Sequence, residues 1–372
     1  MDRHELIVIG GGVIGLSIAW RAAQRGVGVT LLERDGFACG ATRAAAGMLA
    51  PVAEADFGQS GRALLGLGRD SLAAWPAFAD ELAQASGMPS RLRHDGTLVL
   101  ARDRDEAEEL ERQLAYRQQL GLEVARLLAR RARELEPALT PSLRLALEIP
   151  GEASVDPRAV CEALVIAARA AGAQLREHCE VAALRRHGGR VAGVVLRDGD
   201  ELESDHVVLA AGAWSGGLAD VPIRPVKGQI MRLRDGAGPG LVRRTLRFDG
   251  GYVVPRGDGV YVLGASVEER GFDCAVTARP LYELLRDCAE LIPGLLDLDV
   301  EEISVGLRPG SPDNLPLIGA ADEAGLILAC GHFRNGILLA PLTAQLVVDA
   351  LAGAPLPAAI APGRDAPHEV LA

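Results

Sequence analysis

The sequence predicts an α/β protein in which a Rossmann-like domain is interwoven with an α+β domain built on an antiparallel sheet. Three observations predict it. The chain opens on a strand, a GxGxxG turn, a helix and a second strand ending in an acid, from Glu5 to Glu33. An apolar strand, "HVVLAAG", returns to the same type of unit much later, at His206–Gly212. Alternating strands with glycine-rich turns fill two separated stretches, near 90–150 and 224–305.

The elements follow in order. "ELIVI", Glu5–Ile9, is a short apolar run ending in glycine, which suits a parallel strand buried on both faces. A helix from about Ile14 to Arg25 is stopped by Gly26, and "GVTLLER" supplies the next strand. "GTLVLAR" is a strand of the second sheet, followed by a polar helix, Asp103–Leu120, whose apolar positions Ala107, Leu110 and Leu114 cover one face. Asp156 caps a further helix, Pro157 occupies its first turn, and Gly172 ends it. Turns at "HGGR" and "DGDE" then mark a small antiparallel excursion before the return strand. "GGYVVPR" and "GVYVLGAS" belong with "GTLVLAR" in one sheet. No repeat or flexible linker separates the pieces, so the domains exchange chain directly: 1–88, 148–222 and 305–372 form one, 89–147 and 223–304 the other.

Bulk properties narrow the function. The chain has 372 residues, 49% of them hydrophobic, enough for a large core. Its formal charge is −11, Lys227 is the only lysine, and the arginines are scattered, so neither nucleic acid nor a membrane surface is an expected partner. No window reaches the ~20 apolar residues of a spanning helix. The six cysteines form no CxxC and no metal-ligand spacing, which predicts free thiols, a reducing cytoplasm and no metal.

Gly10, Gly12 and Gly15 supply a tight turn, close approach to a pyrophosphate and helix packing, while Glu33 offers a carboxylate to ribose hydroxyls. The late return strand favours FAD over NAD, whose domain is normally contiguous. "CGATRAAAGMLAP", Cys39–Pro51, adds small residues whose backbone can approach a phosphate and a flat ring, with a hydroxyl at Thr42. At the other end, "GHFRNGILLAP" places Arg334, Asn335 and Gly336 before an apolar helix. Its amides and positive dipole end would face the negative charge of a reduced flavin.

Together "VIGGGVIGLSIAW", "ATRAAAGMLAP", "VVLAAGAWS", "PVKGQ", "GGYVVPR", "GLRPGSPDNLPLIG" and "GHFRNGILLAP" resemble the D-amino acid oxidase superfamily, most closely its glycine oxidase branch. The likeness implies a glutathione-reductase type FAD domain. It implies that Val13, Ile14, Glu33, Arg34, Ala41, Thr42, Arg43, Ala46, Gly47 and Met48 line FAD. Val181 would meet the adenine side through its backbone, Gly212 and Trp214 belong to the return motif, and His332, Phe333, Arg334, Asn335, Gly336, Ile337 and Leu338 would close over the flavin ring. Arg308 matches the family's carboxylate-binding arginine, and Tyr252 and Arg334 match its other substrate-facing positions. Glycine oxidases often carry His two residues before that tyrosine, where this chain has Gly250. Monomeric sarcosine oxidases attach flavin through a late cysteine, which "PDNLPLIG" lacks. Noncovalent FAD follows, with Cys330 a buried free thiol.

The chemistry expected is oxidation of a small amine. Arg308 would hold the carboxylate by two parallel hydrogen bonds and fix Cα–H against the ring, so that hydride passes to flavin N5 without a protein base. Tyr252 would assist, and Met48 and Ala50 would shape a pocket suited to glycine or sarcosine. O2 would become H2O2, and the imine would be hydrolysed or enter thiazole synthesis for thiamine. The resemblance also suggests a homotetramer. Competing readings are a D-amino acid dehydrogenase feeding a quinone, a tRNA-modifying domain disfavoured by the acidic balance, and a noncatalytic flavin scaffold. A Schiff-base enzyme is disfavoured because the one lysine lies in a strand.

Overall fold

The computed structural model describes residues 3–364 and contains two eight-stranded sheets. The first runs Leu317–Ala320, Leu326–Cys330, Glu201–Leu209, Arg3–Ile9, Val29–Leu32, Gln174–Arg176, with the strands from Leu326 onward mutually parallel. The hairpin Val181–His187 and Arg190–Leu196 attaches antiparallel to Glu201–Leu209, which is the excursion expected. Leu6 and Val8 pack with the helices, while Ile7 and Ile9 face the hairpin side. That double burial explains why the first strand is apolar at every central position.

Helices Val13–Gln24, Pro157–Ala170 and Gly336–Leu351 cover one face of this sheet. The Asp156 carboxylate caps the second by accepting from Arg158 N at 3.0 Å. A helix absent from the sequence reading, Gln59–Ser86, lies over the same core. Its Ser71 and Trp75 both donate to Leu338 O, at 2.7 and 2.9 Å, tying it to the start of the late helix.

The second sheet runs Asp299–Gly310, Arg224–Arg234, Val260–Gly264, Gly251–Pro255, Thr245–Phe248, Thr97–Ala101, Leu145–Ile149, Ala125–Leu128. The two chain segments meet at a parallel pair, Thr245–Phe248 beside Thr97–Ala101, so the sheet is not wholly antiparallel. Two strands far apart in sequence need no hairpin between them, and nothing forces the antiparallel sense. Helix Arg104–Gln119 buries Leu110 and Leu114 on one face, and a second unforeseen helix, Ala278–Leu291, buries Leu284, Cys288 and Leu291 on the other. Each such aliphatic side chain contributes about 1.5–3 kcal/mol on full burial. At Gly306 the sheet meets the short helix Ala41–Ala44: a Cβ there would lie 2.9 Å from Ala44 Cβ, so glycine lets the two parts close.

Candidate active site

One cavity of about 880 Å3 runs from the first glycine turn to the second sheet. At its near end Gly10 has φ +109°, and a Cβ on it would meet Ala210 O at 2.4 Å. Only glycine serves there. Gly15 does not line the cavity; a Cβ on it would fall 1.9 Å from Gly10 O, so its role is the close seating of the helix on the turn. Gly12 caps that helix in extended backbone without a side-chain bond, and Val13 N donates to Thr42 Oγ1 at 3.2 Å. Glu33 is fixed by two amides: Oε2 accepts from Gly11 N at 2.6 Å and Oε1 from Asp35 N at 3.0 Å. Arg34 lies over the Trp214 ring at 3.9 Å, and Trp214 stacks on Phe272. Ile14, Ala41, Ala46, Gly47, Val181 and Gly212 also line the cavity, whereas Arg43 does not and pairs instead with Glu302 at 3.6 Å.

The middle of the cavity is roofed by His332–Leu338, all lining it. His332 is buried, its Nε2 2.9 Å from Thr343 Oγ1, and burial holds its pKa down to about 3, leaving it neutral. Phe333 adopts φ 47°, and its amide donates to Pro309 O at 2.9 Å, which hooks the segment onto the strand carrying Arg308. Asn335 precedes a helix that begins at Gly336 and bears no side-chain cap, so the first amides are available to the cavity. Arg334 is exposed at the mouth, over the Phe333 ring at 5.3 Å.

At the far end Arg308 Nη1 donates to Ser266 O at 3.0 Å and Lys227 O at 3.3 Å, and Tyr252 lines the same part of the cavity. It rests on Gly228, where a Cβ would lie 2.4 Å from Nη1 and 2.5 Å from Nη2. Burial lowers the Arg308 pKa but an arginine stays charged. Desolvation raises that of Tyr252, which keeps its proton. Met48, Ala50 and Gly250 complete this end.

Among the lining residues that the sequence reading did not name, one charged pair stands at this end. Glu54 and Arg247 pair at 3.4 Å, Arg247 lying directly opposite Tyr252 across the strands. Behind them Glu152, 1% exposed, accepts from Val52 N and Ala53 N at 2.9 and 2.7 Å, while Arg117 donates to the carbonyls of the same two residues. These clamps fix the turn carrying Glu54. No periodicity or spacing marks Glu54, and Arg117 sits in a charged helix where an arginine reads as solvated.

An extended dinucleotide fits this cavity: a glycine turn whose backbone lines one end, an amide-fixed acid beside it, and a helix start with open amides over its middle. Gly10, Gly12, Val13, Glu33 and Thr42 would hold the nucleotide half of FAD, and His332–Leu338 the ring. Cys330 is buried and free, and burial pushes its thiol up to about 12. Among the described residues no group of side chains could hold a metal ion, and no helix is long and apolar enough to cross a membrane.

A family model described as FAD dependent oxidoreductase matches residues 5–350. Glycine oxidase of Geobacillus kaustophilus is 35% identical over 93% of this chain and 92% of its own. The crystal structure of glycine oxidase from that organism superposes with a TM-score of 0.88, covering 96% of each chain at 33% identity. The bifunctional protein ThiO/ThiG of Trichormus variabilis is 35% identical over 93% of this chain, which spans only 52% of that relative's length. The chain therefore belongs to the D-amino acid oxidase family of FAD-dependent oxidoreductases.

Proposed function

We propose that the enzyme oxidatively deaminates glycine and other small amino acids or amines, passing the electrons to O2 with release of H2O2. The observation that carries this reading is Arg308: a charged guanidinium laid on Gly228 and bonded to two carbonyls, at one end of a cavity whose other end is the Gly10–Gly12 turn. With Nη1 engaged by two carbonyls, the remaining N–H groups can take a substrate carboxylate in a paired, charge-assisted contact. Tyr252, protonated, donates to the same carboxylate. Met48 and Ala50 limit the space beside Cα, which favours substrates with little or no side chain.

FAD, when bound, supplies the hydride acceptor and the route of electrons to O2. This chain's own residues bind and orient. Neutral His332 adds no charge to the ring's surroundings, while the amides at Gly336 present partial positive charge. Glu54, paired with Arg247, faces the same space and offsets the arginine charge there. Holding the substrate's reacting carbon in a fixed near-attack arrangement would supply several kcal/mol of the barrier. The domain division at 89–147 and 223–304 is part of the proposal; these stretches carry most of the second sheet, whose strands Leu145–Ile149 and Asp299–Gly310 run past the bounds. The imine product is hydrolysed or used in thiazole synthesis for thiamine, a route supported only by the likeness to ThiO/ThiG relatives. Stoichiometric H2O2 from glycine in air tests the oxidase reading. Turnover only with an artificial acceptor would establish the quinone-linked dehydrogenase instead.

A further inference from the structure

The "PVKGQ" motif has two sides, and the second is not explained by holding substrate. On strand Arg224–Arg234 Gly228 faces Arg308, while its neighbours Lys227 and Gln229 point to the opposite face, each 0% exposed. Lys227, the only lysine, donates from Nζ to Asp273 Oδ2 at 3.1 Å and to Ala275 O at 2.5 Å. Gln229 donates from Nε2 to Glu268 Oε1 at 2.9 Å and Thr277 Oγ1 at 2.8 Å, and its Oε1 accepts from Thr277 N at 2.9 Å. All these partners lie in the irregular segment 265–277 that follows strand Val260–Gly264. The same segment bridges to the strand at Lys227 and Glu268, whose backbones exchange bonds of 2.9 and 3.0 Å. Its Ser266 carbonyl is one of the two acceptors of Arg308 Nη1, and the Lys227 carbonyl is the other.

We infer that Lys227 is a positioning residue: its buried ammonium latches the 265–277 segment so that Ser266 O and Lys227 O set the orientation of Arg308. The physical reason is the cost of an unpaired buried charge. If the segment swings away, the ammonium loses both acceptors, whereas a neutral side chain of similar length would release the segment at little cost. A lysine suits the task because its compact ammonium sits on an apolar stem that can be wholly enclosed. Ser266 is also tied to the strand directly, its Oγ accepting from Gln229 N at 2.8 Å and its amide donating to Gln229 O at 3.3 Å, while the rest of the segment is mostly exposed and is held to the sheet at Asp273 and Ala275 by the Lys227 ammonium. The inference rests on the proposed role of Arg308 in carboxylate binding.

The test uses purified holoenzyme, with methoxyacetate as a nonreacting carboxylate followed by its perturbation of the flavin absorbance, and glycine as substrate. In Lys227→Met the methoxyacetate Kd and the glycine KM rise at least about tenfold, kcat falls by no more than a few fold, and Lys227→Arg recovers most of the affinity. Asp273→Asn alters a half-exposed partner and spares the buried lysine, so it folds if Lys227→Met does not; it weakens methoxyacetate by about threefold. Unchanged Kd and KM in Lys227→Met, or lost flavin with unchanged affinity in the molecules that retain it, overturn the inference. If Lys227→Met fails to fold, unchanged affinity in Asp273→Asn overturns it. Wild-type protein that binds no carboxylate and is not reduced by glycine contradicts the proposed function itself, a result separable from these.

Discussion

Replacing Gly228 by alanine tests the site through a single added methyl group. The new Cβ would lie 2.4 Å from Arg308 Nη1 and 2.6 Å from Cζ, whereas ordinary contact begins at 3.4 Å, so the guanidinium must retreat by about 1 Å. The clash is with the end of a long side chain, and Gly228 is not among the glycines with positive φ, so the backbone accepts alanine and the sheet survives. The bonds from Nη1 to Ser266 O and Lys227 O, at 3.0 and 3.3 Å, stretch with the move. A misplacement of about 1 Å costs on the order of 100-fold in rate, or roughly 2.7 kcal/mol. Steady-state oxidation of glycine in Gly228→Ala should show that loss in kcat/KM, chiefly through KM, with flavin content and melting temperature close to wild type. A variant with wild-type KM and full flavin would show that Arg308 does not hold the substrate, or that its position is immaterial, and the reasoning would fail.

Further predictions concern the two ends of the cavity. Gly10→Ala combines a left-handed φ of +109° with a backbone clash at Ala210 O that no side-chain motion relieves, so the protein should purify without flavin, read from its visible absorbance. Glu152 tests the clamp under Glu54. Desolvation raises its pKa to about 7, and Oε2 is buried without a partner. Between the ordinary carboxylate range and about 7 the folded protein keeps a proton that the unfolded chain has lost, so stability falls as pH rises through that window and levels off above it. The full effect is on the order of 3 kcal/mol. Glu152→Gln, which retains an acceptor for Val52 N and Ala53 N, should flatten the melting temperature between about pH 5 and 7. Parallel pH profiles for the two proteins would refute the assignment.

Local chemistry made much of this readable in advance. Glycines with one permitted conformation, the Asp156–Pro157 cap and the apolar run from Gly336 each dictate their element through neighbours in sequence, and the structure has all of them. Helix Gln59–Ser86 was hidden because Pro76 and three glycines interrupt its pattern; Gly68 is needed where a Cβ would meet Pro51 at 2.8 Å and Leu338 at 3.2 Å. Tertiary packing there outweighs propensity. The Glu54–Arg247 pair and the Arg117 and Glu152 clamps come from a helix, a strand and turns distant in sequence, and a lone charged residue carries no mark of the partner it will meet. Lys227 could be placed in a strand from its neighbours, but its partners Asp273 and Ala275 lie in a segment without periodicity.

The most direct test is anaerobic titration of the yellow protein with glycine, in wild type and in Arg308→Ala. Wild-type flavin absorbance should bleach fully at saturating glycine, and the variant should need at least about 100-fold more glycine for the same effect. Equal titrations, or a flavin that glycine never reduces, would contradict the account.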